Sequence, residues 1–339
     1  MEDTQEILDV KNLKITFKMR QGEVTALNDI SFRLRRGLVL GIVGESGCGK
    51  SITARSLLRI ESPGKIISGE ITYNSKNHGK VSLQKLDPKG HLIRSIRWKE
   101  IAMVFQEPMT SFSPMHTFGN QISEVLILHN KLSKEEARQR AIDSLASVGM
   151  PRPEKVIKQY PHQISGGMRQ RAMIAMALIC SPEIMIADEP TTALDVSTES
   201  QILDLLSERQ KILKTSILYI SHNLGVVANI ADEVMVMYLG QIVEHAPSSE
   251  LFREPRHPYT IALLKSIPRM DKNHKGYKLE VIQGSLPDPY VHPKGCKFHP
   301  RCPKSMEGLC NVVPPSLIEI SFNRRIACHL FNSSPKTYE

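Results

Sequence analysis

Eight consecutive residues, Gly44-Glu45-Ser46-Gly47-Cys48-Gly49-Lys50-Ser51, have the types and spacing to hold a phosphate. They follow the apolar run Leu38 to Val43, which reads as a buried strand. They precede Ile52 to Leu58, which reads as a helix. Strand, glycine loop and helix in that order form the context a phosphate-binding loop requires. Glycines let the backbone turn tightly, so that successive N–H groups face one anion. The helix adds its positive N-terminal end. Lys50 is placed to reach the outer phosphates, and the Ser51 hydroxyl to ligate Mg²⁺. The plain alternative is a glycine turn joining an ordinary strand and helix.

A second group of chemical residues ends the apolar run Ile184-Met185-Ile186-Ala187. Asp188, delivered by a buried strand, suits a Mg²⁺ contact through water. Glu189 beside it suits a general base that polarises the attacking water. A third group, Ser165-Gly166-Gly167, opens an apolar helix over Arg171 to Cys180 and forms a second anion-binding nest or a simple N-cap. Four of the six cysteines, Cys296, Cys302, Cys310 and Cys328, gather near the C-terminus. In a reducing compartment such a set points to a metal rather than to disulfides. Its spacing matches neither ferredoxin pattern nor the paired Cys-x₂-Cys of common zinc modules. Four thiolates suffice for a [4Fe–4S] cluster or tetrahedral Zn²⁺, and a reduced set without metal is the third possibility.

The elements that must position these residues follow from periodicity. Leu13 to Lys18 alternates as a half-buried strand, Gln21-Gly22-Glu23 reads as a turn, and Val24 to Leu34 as a returning strand pair. Ser68 to Asn74 is a strand, and the polar segment 75–90 an exposed hairpin or loop. Ile101 to Phe105 is a buried strand ending at Gln106. Residues 111–163 read as mostly helical, with a capping box at Ser133-Lys134-Glu135-Glu136 starting a helix to about Val148. Strands resume at Ile184, Ile217, Glu233 and Gln241. A proline-rich stretch from Pro247 to Pro258 leads out of this core, and Lys272 to Gly295 reads as an irregular linker.

The chain has 339 residues, with 44 Lys and Arg against 35 Asp and Glu, a net charge of +9. This length suits a large core and two domains. The basic balance alone could suit nucleic acid or an anionic membrane face. No Lys/Arg block stands out and aromatics are few, so no nucleic acid is expected. The longest strongly apolar stretch, Ala172 to Cys180, is too short to span a bilayer. The acidic start, Met1 to Glu6, is unlike a signal peptide, which gives the expectation of a cytosolic chain.

These motifs together resemble an ATP-binding-cassette (ABC) ATPase. The Walker A motif is Gly44 to Ser51, and Gln106 matches the Q-loop glutamine. Ile164 to Met168 is the signature, and Ile184 to Asp188 followed by Glu189 is Walker B. Ala193-Leu194-Asp195 resembles the D-loop, His222 the switch histidine, and Phe17 the aromatic that stacks on adenine. The resemblance implies an α/β fold, a P-loop NTPase of the ABC ATPase type. Its RecA-like core would carry an antiparallel β subdomain and a helical subdomain at about 111–170, all within residues 1–246. It further implies that Gly44, Ser46, Gly47, Cys48, Gly49, Lys50, Ser51 and Ile52 hold the phosphates. Ser51, Gln106 and Asp188 would hold Mg²⁺, and Glu189, His222 and Gln106 would serve catalysis. Ser165, Gly166 and Gly167 would close over the nucleotide of a second cassette.

The wording Ser-Gly-Gly-Met-Arg-Gln-Arg-Ala-Met-Ile-Ala-Met-Ala-Leu resembles one branch, the D-type ATPase subunit of oligopeptide, dipeptide and nickel importers. Gln106-Glu107-Pro108-Met109-Thr110-Ser111-Phe112, His257-Pro258-Tyr259-Thr260 and Ser266-Ile267-Pro268 extend the likeness into residues 247–339. The signature departs from Leu-Ser-Gly-Gly-Gln at Ile164 and Met168. Phe112-Ser113 stands where the family more often has Leu-Asn. The branch implies an iron–sulfur cluster on the four cysteines, with Zn²⁺ as the alternative. It implies a homologous F-type subunit as partner in a heterodimer, two membrane permease subunits, and an extracytoplasmic binding protein that captures the cargo. The expected location is the cytoplasmic face of the membrane. Peptides are the expected cargo, with nickel complexes or short oligosaccharides as alternatives. A soluble ABC protein of DNA repair or translation is the reading from another class. A redox module in which the cysteines gate the ATPase is a third, compatible with the first.

Overall fold

The structure is a computed structural model that describes residues 6–106, 111–192, 195–266, 282–288 and 290–331. The sequence expectations at Met1 to Gln5, Glu107 to Thr110, Ala193, Leu194, Ile267 and Pro268, and part of the expected linker 272–295, lie outside the described residues.

Two sheets share one interior. The first is antiparallel, with β1 (Glu6–Met19) between β2 (Gly22–Arg35) and β4 (Lys65–Ser75), and β5 (Gly79–Ser82) at its edge. The second has eight strands. Four parallel neighbours, β3 (Val39–Val43), β8 (Ser216–Ile220), β7 (Ile184–Asp188) and β6 (Ile101–Val104), run in that order. On the other side of β3 lies β9 (Glu233–Tyr238), also parallel to it. Then come β10 (Gln241–Pro247), β12 (Arg324–Ile326) and β11 (Ile318–Ser321), all antiparallel.

Every residue of β3, β6, β7 and β8 is buried, which explains their unbroken apolar sequences. Alternate side chains point to opposite faces. Leu40, Ile42, Ile101, Met103, Ile184, Ile186, Leu218 and Ile220 face the antiparallel sheet and pack with Leu13, Ile15, Ile71 and Tyr73. Val39, Val43, Ala102, Val104, Met185, Ala187, Ile217 and Tyr219 face the helices. The central strands are thus a partition between two cores.

The helices after β6 are Phe118–Asn130, Lys134–Ser147 and the single turn Pro153–Val156. The capping box is formed: Glu136 N–H donates to Ser133 Oγ at 3.3 Å, and Ser133 N–H to Glu136 Oε2 at 3.1 Å. The apolar helix runs Gly166–Leu178, five residues earlier than its apolar pattern begins. Ser165 caps it, so the two glycines form its first turn and Cys180 lies beyond its end.

Three elements differ from the sequence expectation. The returning strand pair is one 14-residue strand, β2. Asp29 and the facing Asn12 both take left-handed backbone, φ 61 and 49, and Asn12 Nδ2 donates to Asp29 Oδ1 at 2.6 Å. The register shifts there as a bulge, without a break. The segment 75–90 is only partly exposed, because β5 pairs with β4 and buries Val81, and the turn Leu83–Lys85 after it buries Leu83. The proline-rich stretch holds a helix, Ser248–Arg253, with Pro247 at its N-cap, and Pro258 starts the next helix, Pro258–Lys265. Proline is tolerated at these entry positions because no intrahelical N–H is lost.

The C-terminal residues are fixed to the main sheet by charge as well as by strand pairing. Arg324 Nη2 donates to Glu244 Oε1 at 2.9 Å, and the N–H groups of Arg256 and His257 donate to the same carboxylate. The Glu244 side chain is fully buried and that of Arg324 is 5% exposed. Arg324→Leu therefore strands a buried carboxylate and should lower stability by about 3–5 kcal/mol. A denaturant midpoint unchanged from wild type would contradict this account of how the C-terminal strands are held.

Candidate functional site

The glycine loop leaves β3 and enters the helix Lys50–Leu57. Gly44, Gly47 and Gly49 have φ of 151°, 80° and 103°. A Cβ on Gly44 would strike the Met237 carbonyl, and one on Gly49 would come within 2.6 Å of Leu27. The loop is therefore specific to glycine at these two positions by space as well as by torsion. Gly49 is the N-cap and no side chain caps the helix. The first-turn N–H groups of Lys50, Ser51 and Ile52 have no intrahelical acceptor, an arrangement that suits an anion. Lys50 is buried, and its Nζ donates to the carbonyls of Gly44 at 2.7 Å and Glu45 at 3.1 Å. The ammonium spans the hollow of the loop, where a phosphate oxygen can take the place of those carbonyls. Cys48 is buried beside it, and burial pushes its thiol up, so it is no thiolate nucleophile.

The end of β7 faces this loop. Ser51 Oγ donates to Asp188 Oδ1 at 3.0 Å. Asp188 is 1% exposed, and burial raises its carboxyl above the usual range against the pull of Ser51. A hard cation here would favour the ionised carboxylate, and the hydroxyl and carboxylate oxygens are ligands such a cation takes. The next residue, Glu189, has left-handed backbone at φ 47, and its N–H donates to the Ile220 carbonyl of β8 at 2.9 Å. Its side chain is the hub of the site. Glu189 Oε2 accepts from Gln106 Nε2 at 3.0 Å and from Thr192 Oγ1 at 3.0 Å, and lies 3.2 Å from His222 Nδ1. Residues 83 and 33 positions away thus converge on one oxygen. Thr192 was not singled out from sequence. Its place three residues after Glu189 is the one local signal.

Phe17, at the far end of β1, pairs with Val24 and is half-buried, with its ring against Gly64. Ser165 Oγ accepts the N–H of Met168 at 3.4 Å. Arg169 fixes the turn before it through the carbonyls of Ile164 at 2.7 Å and Pro161 at 3.1 Å. Ser165 is exposed, and a Cβ on Gly167 would lie 2.9 Å from Thr198. Among the described residues no hydrogen bond joins Ser165, Gly166 or Gly167 to the glycine loop. Asp195 caps the helix Val196–Leu213 through Thr198 N–H.

Cys296, Cys302, Cys310 and Cys328 line one apolar cavity with Phe298, His257 and Met306. All four are free thiols. Burial pushes the Cys296 and Cys302 thiols up, and that of Cys328 up to about 11. A metal binding here must therefore displace protons. His299 Nδ1 and His329 Nε2 each lie within hydrogen-bond distance of a backbone carbonyl, of Cys296 and Val313. Among the described residues no three His, Cys, Asp or Glu are grouped so as to hold a metal ion. The donor set fits a thiolate-loving group in number and softness, but the thiols are not gathered on one ion-sized point.

Residues 27–192 match the model of the ABC transporter family, and residues 243–310 that of the oligopeptide/dipeptide transporter C-terminal region. The chain is 46% identical over 327 residues to the oligopeptide transport ATP-binding protein AppD of Bacillus subtilis, covering 96% of this chain and 97% of that protein. It is 46% identical to OppD of Salmonella typhimurium, covering 95% and 93%. Among solved structures, the dimeric ATP-binding cassette MJ0796 bound to ADP and Pi is similar with a TM-score of 0.63 and 27% identity, covering 71% of this chain and 98% of that one.

The convergence on Glu189 yields a sharp expectation. Glu189→Gln keeps the shape of the hub and removes a carboxylate placed where a general base could act, so it should leave nucleotide binding intact and slow hydrolysis by about 10²–10⁴. Single-turnover hydrolysis at saturating nucleotide checks this. A rate near wild type would move the base elsewhere.

Proposed function

Because this chain belongs to the ABC transporter family, in its oligopeptide/dipeptide branch, we propose the following account of how it works. It binds and hydrolyses ATP to energise a peptide importer, as a peripheral subunit at the cytoplasmic face of the membrane. It acts with membrane permease subunits and with a substrate-binding protein that meets the cargo. The likeness over nearly the whole length to oligopeptide transport proteins favours peptides over nickel or oligosaccharides. It also disfavours a soluble repair or translation ATPase. We divide the chain as a cassette over 1–246, with its helical part at about 111–170, and an extension over 247–339.

The observation that carries the chemistry is the pairing of two carboxylates at the end of β7 with the glycine loop. Lys50 and the N–H groups of Gly47 to Ile52 hold the phosphates, with Gly44 and Gly49 shaping the loop and Ser46 and Cys48 completing it. Ser51, Asp188 and Gln106 would hold Mg²⁺, which supplies charge neutralisation at the outer phosphates when bound. Glu189 orients and deprotonates water, Gln106 and His222 hold Glu189 in place, and Phe17 carries the adenine. Ser165 is exposed at a helix start with Gly166 and Gly167 half-buried beside it, and among the described residues none of the three is hydrogen-bonded to this loop, which suits closure over the ATP of a second cassette. That partner is a homologous F-type subunit in our reading, so each nucleotide is completed by the other chain. ATP then favours the closed pair and hydrolysis releases it.

We further propose an iron–sulfur cluster on Cys296, Cys302, Cys310 and Cys328. The four thiols line one apolar cavity, and their number and softness suit an iron–sulfur cluster, with tetrahedral Zn²⁺ as the alternative. The preference for the cluster rests on the likeness to the D-type importer subunits.

Two measurements test these readings. Peptide-stimulated ATP hydrolysis by the reconstituted importer should vanish in Lys50→Ala, and stimulation by a nickel complex or an oligosaccharide alone would overturn the peptide reading. Anaerobically purified chain should carry about four irons and four sulfides. One zinc without sulfide would make the cavity a structural zinc site, and unchanged ATPase activity in Cys302→Ser lacking the group would end the redox-gating idea.

A further inference from the structure

Arg301 lies in the turn His299–Arg301, in a part of the chain remote from every nucleotide motif. Its guanidinium nevertheless rests on the glycine loop. Nη1 donates to Glu45 Oε2 at 2.8 Å and Nη2 to Glu45 Oε1 at 3.1 Å. This is the two-pronged geometry in which an arginine fork matches a carboxylate. The Arg301 side chain is 5% exposed and that of Glu45 22%, so solvent and salt screen the pair little. Arg301 is itself held. Its Nε donates to the Gln283 carbonyl at 3.1 Å, and its guanidinium lies 5.9 Å from the centre of the Tyr238 ring.

A second hold acts on the same residue from a different element. Glu45 N–H donates to Tyr259 Oη at 2.9 Å. Tyr259 is fully buried, and its ring packs on Tyr238 at 4.7 Å and Phe298 at 5.3 Å between centroids. On its other side Glu45 faces the working residues. Its carbonyl accepts from Lys50 Nζ at 3.1 Å and from Cys48 N–H at 3.3 Å. Glu45 thus joins two C-terminal elements to the lysine that meets phosphate. A loop with three glycines in left-handed torsions has little of its own to keep it in one shape.

We propose that Arg301 is a positioning residue for the nucleotide: through Glu45 it holds the glycine loop in its phosphate-binding shape, so the C-terminal extension sets the affinity of the ATP site. This rests on the ATPase reading above. Preorganisation of this kind acts on binding, because an unheld loop must be ordered when the nucleotide arrives. The Arg301 side chain bonds to Glu45, the Gln283 carbonyl and Tyr238 and to none of Lys50, Ser51, Asp188 or Glu189, so its loss acts mainly on affinity and little on turnover.

The test uses the full chain and four variants: Arg301→Gln, Glu45→Gln, the double variant, and Arg301→Lys. Equilibrium binding of Mg-ATP, KM and kcat for hydrolysis, and thermal melting are measured on each. Each Gln variant should weaken ATP binding about tenfold and change kcat less than about twofold. The double variant should be no weaker than the single ones, because the residues act as one unit. Arg301→Lys should recover part of the affinity, having the charge without the fork. Unchanged affinity in both single variants overturns the proposal, as do losses that multiply in the double variant. A fall in melting temperature with unaltered affinity assigns Arg301 a structural role only and overturns it too. Wild-type chain that binds no ATP would defeat the ATPase reading itself, and the positioning role with it. Wild-type binding with unaffected variants defeats the positioning role alone.

Discussion

Strand β3 occupies the middle of the eight-stranded sheet, paired to β8 on one side and β9 on the other. Its backbone is satisfied by both ladders as far as Ile42 and by β9 at Val43, and the next residues have no ladder to join. That transition is the constraint on which the rest depends. A chain emerging from a buried sheet must satisfy or aim its N–H groups. Here the turn and the helix after it aim them at one point. Glycine at 44 and 49 is enforced by Met237, Leu27 and Ala26, which belong to β9 and β2. The shape of the phosphate loop is thus set by the packing of both sheets on β3.

The same sheet arranges the charge. β7 and β8 deliver Asp188 and the segment before His222 to one edge, because parallel strands end on the same side. Asp188 is almost wholly enclosed and touches Ser51, whereas Glu189 turns out of the sheet through a left-handed backbone. Neighbouring carboxylates in the chain therefore meet different environments. One is desolvated against the loop, and the other is held at a more open point by Gln106, Thr192 and His222. Division of labour between two adjacent acids follows from this difference in surroundings.

The C-terminal residues are joined to the cassette by polar contacts of high geometric demand. Glu244 on β10 accepts from Arg324 and from two backbone N–H groups while fully buried. Such an arrangement contributes more to fixing one placement of the extension than to net stability, since desolvating the charges offsets much of their attraction. Tyr238 of β9, Tyr259 and Phe298 add an aromatic cluster in the same region. The thiol cavity thus borders the cassette core, with Phe298 in common.

Much of this was legible in the sequence because it is local. The loop Gly44–Ser51 needs its glycines, lysine and serine in consecutive positions, and the capping box at Ser133 needs a serine and a glutamate one turn apart. Continuous apolar runs at Val39, Ile184 and Ile217 marked strands buried on both faces. The sequence by itself thus determined the family, the glycine loop after β3 and the two carboxylates at the end of β7. It could not determine that Asn12 and Asp29 form a bulge, since that depends on two strands meeting. Nor could it show that Pro247 and Pro258 start helices, because proline ends one element and begins another alike. Tertiary structure alone decided which residues meet the oxygen of Glu189, and that Arg301 reaches Glu45 across 256 positions. The physical reason is that periodicity and motif spacing report only neighbours along the chain. A hydrogen bond between distant side chains depends on the sheet that carries both ends.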